Sequence, residues 1–143
     1  RPGIAYGVGR DQGMTSKTTT AILAAVLNKT YTIPFSGKIS ALYNKEIASA
    51  LIRGVSIKHK GCPIFDINGE KTTVEKWVKI IKNIHPKAKI KIKGDKLPFP
   101  FEASDRPLRK YIGNYEKISL QDGIRETYEL FIKLLNKGHV FKL

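Results

Sequence analysis

Cysteine, tryptophan and methionine each occur once in this chain, and basic residues outnumber acidic ones by 26 to 12. With Cys62 as the sole thiol, an internal disulfide is impossible and a zinc site built from several thiolates is excluded. A reducing, cytoplasmic setting fits that cysteine usage. His59, His85 and His139 stand far apart without ligand spacing, so no metal site is expected. No apolar run approaches the roughly 18 residues that span a bilayer. Arginine stands only at 1, 10, 53, 106, 109 and 125, so the other basic residues are lysines, spread along the whole chain. Nucleic-acid readers usually concentrate arginine and lysine on one element, with aromatics between them. The net charge of +14 is therefore read as a solvated lysine coat, and a nucleic-acid partner is not expected.

What is present is enough for one domain: 143 residues, 41% of them hydrophobic, can bury a core. The chain opens on Arg1-Pro2-Gly3-Ile4-Ala5-Tyr6-Gly7-Val8-Gly9. This reads as the end of a buried strand breaking into a loop, since glycine frees the backbone for a sharp exit. Ligands of open α/β sheets bind beyond the carboxyl ends of strands. The expectation is a carboxyl-terminal portion of a longer protein, residues 1–13 being a strand end and an active-site loop. Thr15 or Ser16 then caps a helix from Lys17 to about Asn28 through its side-chain oxygen. Within it Ala21 to Leu27 is apolar without interruption, and such a helix must be buried on every side. A chain this short is expected to leave Ile22, Leu23, Val26 and Leu27 as an exposed patch.

Tyr31 to Phe35 reads as an edge strand, because Pro34 cannot donate to a ladder. Ser36-Gly37 turns the chain, Lys38 to Tyr43 is extended, and Asn44 caps a helix to about Val55. Ile47, Ala48, Leu51, Ile52 and Val55 share one face of that helix. Cys62 to Ile67 reads as a short buried strand ended by Asn68-Gly69. Thr72 or Thr73 starts a helix with Val74, Trp77, Val78, Ile81 and Ile84 on its core face, and Lys89 to Lys93 alternates as a strand wet on one side. Strand, helix and strand then predict a right-handed parallel crossover. Leu97 to Phe101 reads as an extended clamp. Asp105 opens a short helix closed by Gly113, and Ser119-Leu120-Gln121-Asp122 begins a final helix with a capping box.

The order of these landmarks resembles the carboxyl-terminal portion of the extended short-chain dehydrogenase/reductase family, the NAD-dependent sugar epimerases and dehydratases. Arg1 to Gly9 is similar to that family's R-P-x-x-V-Y-G-P-G. Gly37 to Ala48 resembles its extended strand and acidic helix start. Phe65-Asp66-Ile67-Asn68-Gly69 resembles F-N-L-G-G, and Ser119 to Thr127 resembles S-L-x-E-G-L-R-E-T. The resemblance implies a Rossmann-type α/β fold, of which 1–143 is the substrate-binding portion without the dinucleotide-binding domain. It implies hydride transfer with NAD or NADP on a sugar, nucleotide-sugar or sugar acid, and a homodimer. The family's proton shuttle is a Tyr with Lys four residues on. None of Tyr6, Tyr31, Tyr43, Tyr111, Tyr115 or Tyr128 has one, so no catalytic residue is expected in this chain.

The same resemblance puts Pro2 and Gly3 beside the nicotinamide, and Arg10 and Gln12 facing the substrate. Lys38 would meet an anionic substrate group, Tyr43 would be the site aromatic, and Asp105 and Arg109 would close the rim. Ser40-Ala41 and Lys45-Glu46 stand where relatives carry Asp-Phe and Asp-Asp. Ile4 replaces an Asn that several epimerases set against the sugar. Two other readings stay open: a small basic polyanion-binding module, and a non-catalytic relative of the family.

Overall fold

Seven consecutive apolar residues, Ala21 to Leu27, can face water on no side, and they build the centre of the molecule. The computed structural model describes residues 1–98 and 103–143. Helix α1 (Lys17–Val26) packs against β2 (Tyr31–Ile33), α3 (Val74–Ile84), β5 (Ile90–Ile92) and α5 (Leu120–Asn136). The patch expected on α1 does not exist: Ile22 is 0% exposed and Leu23 4%, while Val26 and Leu27 are half-buried. The elements that follow α1 in the chain supply its cover, and α1 marks no seam. Its first turn brings threonine hydroxyls inside as well, and each is bonded. Thr18 donates to the Thr15 carbonyl and Thr20 to that of Ser16, while Thr19 Oγ1 accepts from the Gly7 amide at 3.2 Å. Ser16 makes no side-chain cap, because its backbone already turns helically from the preceding 3-10 turn (Met14–Ser16). Its hydroxyl reaches back to the Gly13 carbonyl at 2.7 Å.

The mixed α/β architecture with a small parallel pair is present. β1 (Ile4–Tyr6) lies parallel to β3 (Lys38–Tyr43), with Ile4 opposite Ala41 and Tyr6 opposite Tyr43. β4 (Glu70–Thr73) runs antiparallel on the other edge of β3, with Lys38 opposite Thr73. A second, two-stranded sheet pairs β2 with β5 in parallel. The predicted crossover does not form: β5 pairs with β2, and β4, the strand before α3, lies antiparallel in the other sheet. Residues 62–66 form no strand and Cys62 is exposed, with Ile67 making only an isolated bridge to Pro2. An apolar run needs a partner edge to become a strand, and the free edge of β3 is taken by the polar residues 70–73. Of the expected clamp, residues 99–101 lie outside the described residues.

Alternation along β3 sends Ile39, Ala41 and Tyr43 to the main core. There the Tyr6 ring lies 5.2 Å from Tyr43 and edge-on to Trp77 at 4.7 Å. Thr73 caps α3 by accepting from the Lys76 amide, and Trp77 is sealed on that helix's core face as expected. Ser119 caps α5 by accepting from the Asp122 amide at 3.1 Å, and Asp122 accepts its hydroxyl. On the core face of α5, Gly123 admits the phenol of Tyr6. A Cβ placed there would stand 2.1 Å from its hydroxyl oxygen and 3.0 Å from Cζ.

Helix α2 (Asn44–Val55) departs from expectation by half a turn. Its buried positions are Glu46 and Ala50. The apolar stripe faces water, with Leu51 60%, Ile52 64% and Val55 84% exposed. Periodicity finds a stripe but does not say which side of the helix meets the core.

Gly123→Ala is expected to cost about 1–3 kcal/mol by overpacking, despite alanine's better helix propensity. Urea unfolding checks this, and adding Tyr6→Phe, which removes the clashing oxygen, should return part of the loss.

Candidate functional site

A cavity of about 590 Å³ opens at the amino ends of β1 and β3. Pro2, Gly3 and Ile4 form one wall, Lys38, Ile39 and Ser40 the next, and Asp66, Ile67 and Asn68 a third; Thr15, Leu97 and Ala103 lie at its margins. The three walls meet because residues 1–3 bond to the segment before β4. The Gly3 amide donates to the Ile67 carbonyl, and the Ile67 amide to that of Arg1, both at 2.9 Å. Gly3 also sits tight against β3, since a Cβ there would lie 3.2 Å from Ser40 Oγ.

The inner wall is fixed by a short chain of polar bonds. Ser40 donates its hydroxyl to Asn68 Oδ1 and accepts from the Gly69 amide at 3.2 Å; Asn68 Nδ2 donates to the Ala103 carbonyl at 2.6 Å. Gly69 is obligatory, as a Cβ would overlap the Ala41 carbonyl oxygen at 1.8 Å. Ser40 and Asn68 are thus occupied with each other, and the exposed cations among the lining residues are Arg1 and Lys38. Arg1 pairs with Asp66 at 3.0 Å across an exposed part of the rim.

Behind Asn68 lies an ionic cluster that periodicity did not foretell, with buried carboxylates and exposed cations. Lys117 donates to the Asn68 carbonyl at 2.6 Å and pairs with Asp105 at 3.0 Å and Glu46 at 3.5 Å. Its ammonium also stands 4.9 Å from the centre of the Tyr115 ring. The Tyr115 hydroxyl donates to Asp105 at 2.6 Å, and Arg109 pairs with Asp105 one turn along α4 (Arg106–Ile112). Burial works against ionisation of Asp105. The bonds from Tyr115 and Lys117, with the charges of Lys117 and Arg109, outweigh it and hold the carboxyl below its ordinary value. Glu46 goes the other way: burial raises it, more than the Tyr43 amide and Lys117 lower it. Burial also pushes up the phenols of Tyr6 and Tyr43, so neither is poised to give up a proton near neutral pH.

Of the residues singled out from the sequence, the cavity gathers Pro2, Gly3 and Lys38. Arg10 is folded onto its own loop, donating to the Gln12 carbonyl and, at 3.1 Å, to Thr15 Oγ1; Gln12 is exposed there. Tyr43 is in the core against Tyr6. Asp105 and Arg109 belong to the ionic cluster. The sequence reading passed over Ser40, as a replaced carboxylate, and Asn68, as a turn residue. Their mutual bond spans 28 positions, and no local pattern signals it. Among the described residues, no group of histidine, cysteine and acidic side chains is arranged to hold a metal, and no helix is long and apolar enough to cross a membrane.

No protein-family profile matches the sequence, and no curated protein matches it either. Solved structures do match. UDP-glucuronic acid 4-epimerase from Bacillus cereus, in complex with UDP-glucuronic acid and NAD, superposes with a TM-score of 0.77 at 18% identity, over 94% of this chain and 44% of that one. UDP-glucose 4-epimerase from Thermotoga maritima, with UDP-glucose, gives 0.74 at 22% identity, over 94% and 45%. An NAD-dependent NDP-hexosamine 5,6-dehydratase of tunicamycin biosynthesis gives 0.71 at 18%, over 93% and 45%. The fold is that of the NAD-dependent epimerases and dehydratases. This chain spans less than half the length of the epimerase and dehydratase structures that it matches.

The ionic cluster generates a pH prediction. A carboxyl held low contributes stability that is present above its ordinary value of 3.8 and lost as pH falls through the lower folded value. Asp105→Asn should therefore cost about 2 kcal/mol near neutral pH, the scale of hydrogen bonds to a charged group, with the deficit shrinking below pH 3.8. Glu46, raised above its ordinary 4.5, is most favourable protonated, so the deficit of Glu46→Gln should shrink as pH rises. Urea unfolding of both variants across that range checks the opposite slopes.

Proposed function

We propose that this chain is the substrate-side portion of an NAD(P)-dependent epimerase/dehydratase-type oxidoreductase acting on a sugar, nucleotide-sugar or sugar acid. The observation that carries the reading is the cavity. It brings Pro2 and Gly3, expected at the nicotinamide, onto adjoining walls with Lys38, expected at an anionic group. The fold shared with nucleotide-sugar enzymes supports the same reaction class.

The chain's own residues fit only part of that task. Lys38 would attract a carboxylate or diphosphate as a point charge, without the bidentate fork of an arginine. Pro2 and Gly3 would lend a flat, tightly packed wall for one edge of a ring. A diphosphate cradle is not built among the described residues. The loop of Gly7, Gly9 and Gly13 leads into a 3-10 turn whose start is taken up by Ser16 and Arg10. When bound, the nicotinamide supplies the hydride acceptor. The cradle for its diphosphate and the tyrosine–lysine pair that moves the proton belong, on this reading, to a separate dinucleotide-binding half.

Titration of the 143-residue chain with UDP-glucuronic acid, followed by amide NMR, is expected to shift Gly3, Lys38 and Ser40 while NADH shifts nothing. Lys38→Ala should weaken that binding about tenfold, equivalent to about 1.4 kcal/mol. Shifts confined to other surfaces, or equal affinity without Lys38, would remove the cavity from the reading. Affinity of the lysine surface for a single-stranded oligonucleotide, falling steeply with salt, would favour a polyanion-binding module instead.

A further inference from the structure

The lysines are spread along the sequence but not over the fold. Residues 12–45 contain no aspartate or glutamate, and neither do residues 76–94, where seven lysines stand. Folding brings these two acid-free segments together, because β2 comes from the first and β5 from the second. On the side of Ile33 and Ile90 the pair packs into the main core with α1 and α3. On the other side Lys89, Lys91 and Lys93 stand in a row about 6.6 Å apart, at every second residue, and all are exposed. Lys91 lies opposite Thr32, and two 3.0 Å bonds, Tyr31 amide to Lys89 carbonyl and Lys93 amide to Ile33 carbonyl, hold the flanking lysines in that register. Beside the row Thr30, Thr32 and Pro34 are exposed and short, so no bulky side chain rises between the ammonium groups. Among the described residues, Lys87, Lys89, Lys91 and Lys93 have no carboxylate partner, and the first acid beyond them is Asp95.

We infer that the lysine face of the β2–β5 pair is a docking surface for an anionic lipid bilayer, independently of the function proposed above. A row of like charges without counter-charges opposes the compact state by self-repulsion, a cost that a dispersed coat avoids. Contact with an anionic surface removes that cost. Charge complementarity and shape together select the bilayer. Its headgroups offer negative charge at any spacing, so flexible ammonium groups need no register to meet them, and each lysine near the surface adds to the attraction. A nucleic acid is the poorer occupant. The face carries no aromatic on which a base could stack, since Tyr31 is turned to the main core, and no arginine to fork onto a phosphate. A protein partner would need carboxylates set to match the row.

Vesicle sedimentation tests this, with vesicles of about one part phosphatidylserine to three parts phosphatidylcholine, and of phosphatidylcholine alone. The protein should bind the first and not the second. It should be released as salt rises from about 0.1 M to about 1 M, where the screening length falls from about 10 Å to about 3 Å. Two double variants of equal net charge locate the contact. Lys89→Glu with Lys91→Glu breaks the row, whereas Lys58→Glu with Lys110→Glu makes the same change beside the smaller core cluster of Ala50, Leu108 and Ile112. The row variant should lose roughly 25-fold in vesicle affinity, about fivefold per lysine, and the control less than about threefold. All four side chains are exposed, and unchanged emission from buried Trp77 checks that each variant is folded. Equal losses in the two variants, or no binding to the anionic vesicles, overturn the inference. Tighter binding to an oligonucleotide than to vesicles, lost in the row variant alone, assigns the face to nucleic acid and also overturns it.

Discussion

One buried carboxylate sets the arrangement of this molecule around its cavity. Glu46 accepts the Tyr43 amide and meets Lys117, whose ammonium also holds Asp105 and the Asn68 carbonyl. Glu46 and Asp105 are buried while Lys117 reaches them from the surface, so losing the lysine would leave two buried carboxylates without their shared cation. Through them the end of β3, the start of α2, the turn before β4 and the approach to α5 are fixed relative to one another. Asn68 carries that rigidity to the cavity wall, where its side chain binds Ser40 and the Ala103 carbonyl.

The main core contributes in a different way. It is an aromatic and aliphatic packing problem, solved by Tyr6, Tyr43 and Trp77 on one side of the sheet and by α1 enclosed among its neighbours. Burying an Ile or Leu such as those of α1 contributes roughly 2 kcal/mol each. This core keeps β1 and β3 parallel and in register, and their amino ends then frame the opening. The two parts divide the labour: apolar packing holds the strands, and ionic pinning shapes what lies at their ends.

Local chemistry was legible in the sequence and long-range partnership was not. The Ser119 cap of α5 follows from adjacent residues, as do the Thr73 cap of α3 and the short helix between Asp105 and Gly113. Residues 62–67 looked like a strand because they are apolar, but the edge available on β3 was filled by 70–73. The central helix was legible as buried, though what buries it arrives later in the chain. For α2 the stripe was legible and its direction was not, because direction was decided by Glu46 and by a lysine 71 positions on. At the candidate site, Pro2, Gly3 and Lys38 came from motif resemblance. Ser40 and Asn68 escaped notice because an ordinary serine and a turn asparagine become a wall only once paired.

Trp77 is the sole tryptophan and is fully enclosed beside Tyr6, on the far side of β3 from Ser40 and its polar wall. Its emission should therefore be blue and nearly indifferent to anything entering the opening, yet collapse in intensity or shift red when the interior melts. The molecule thus carries a built-in optical gauge of its own integrity, one that separates loss of structure from loss of binding without any added dye.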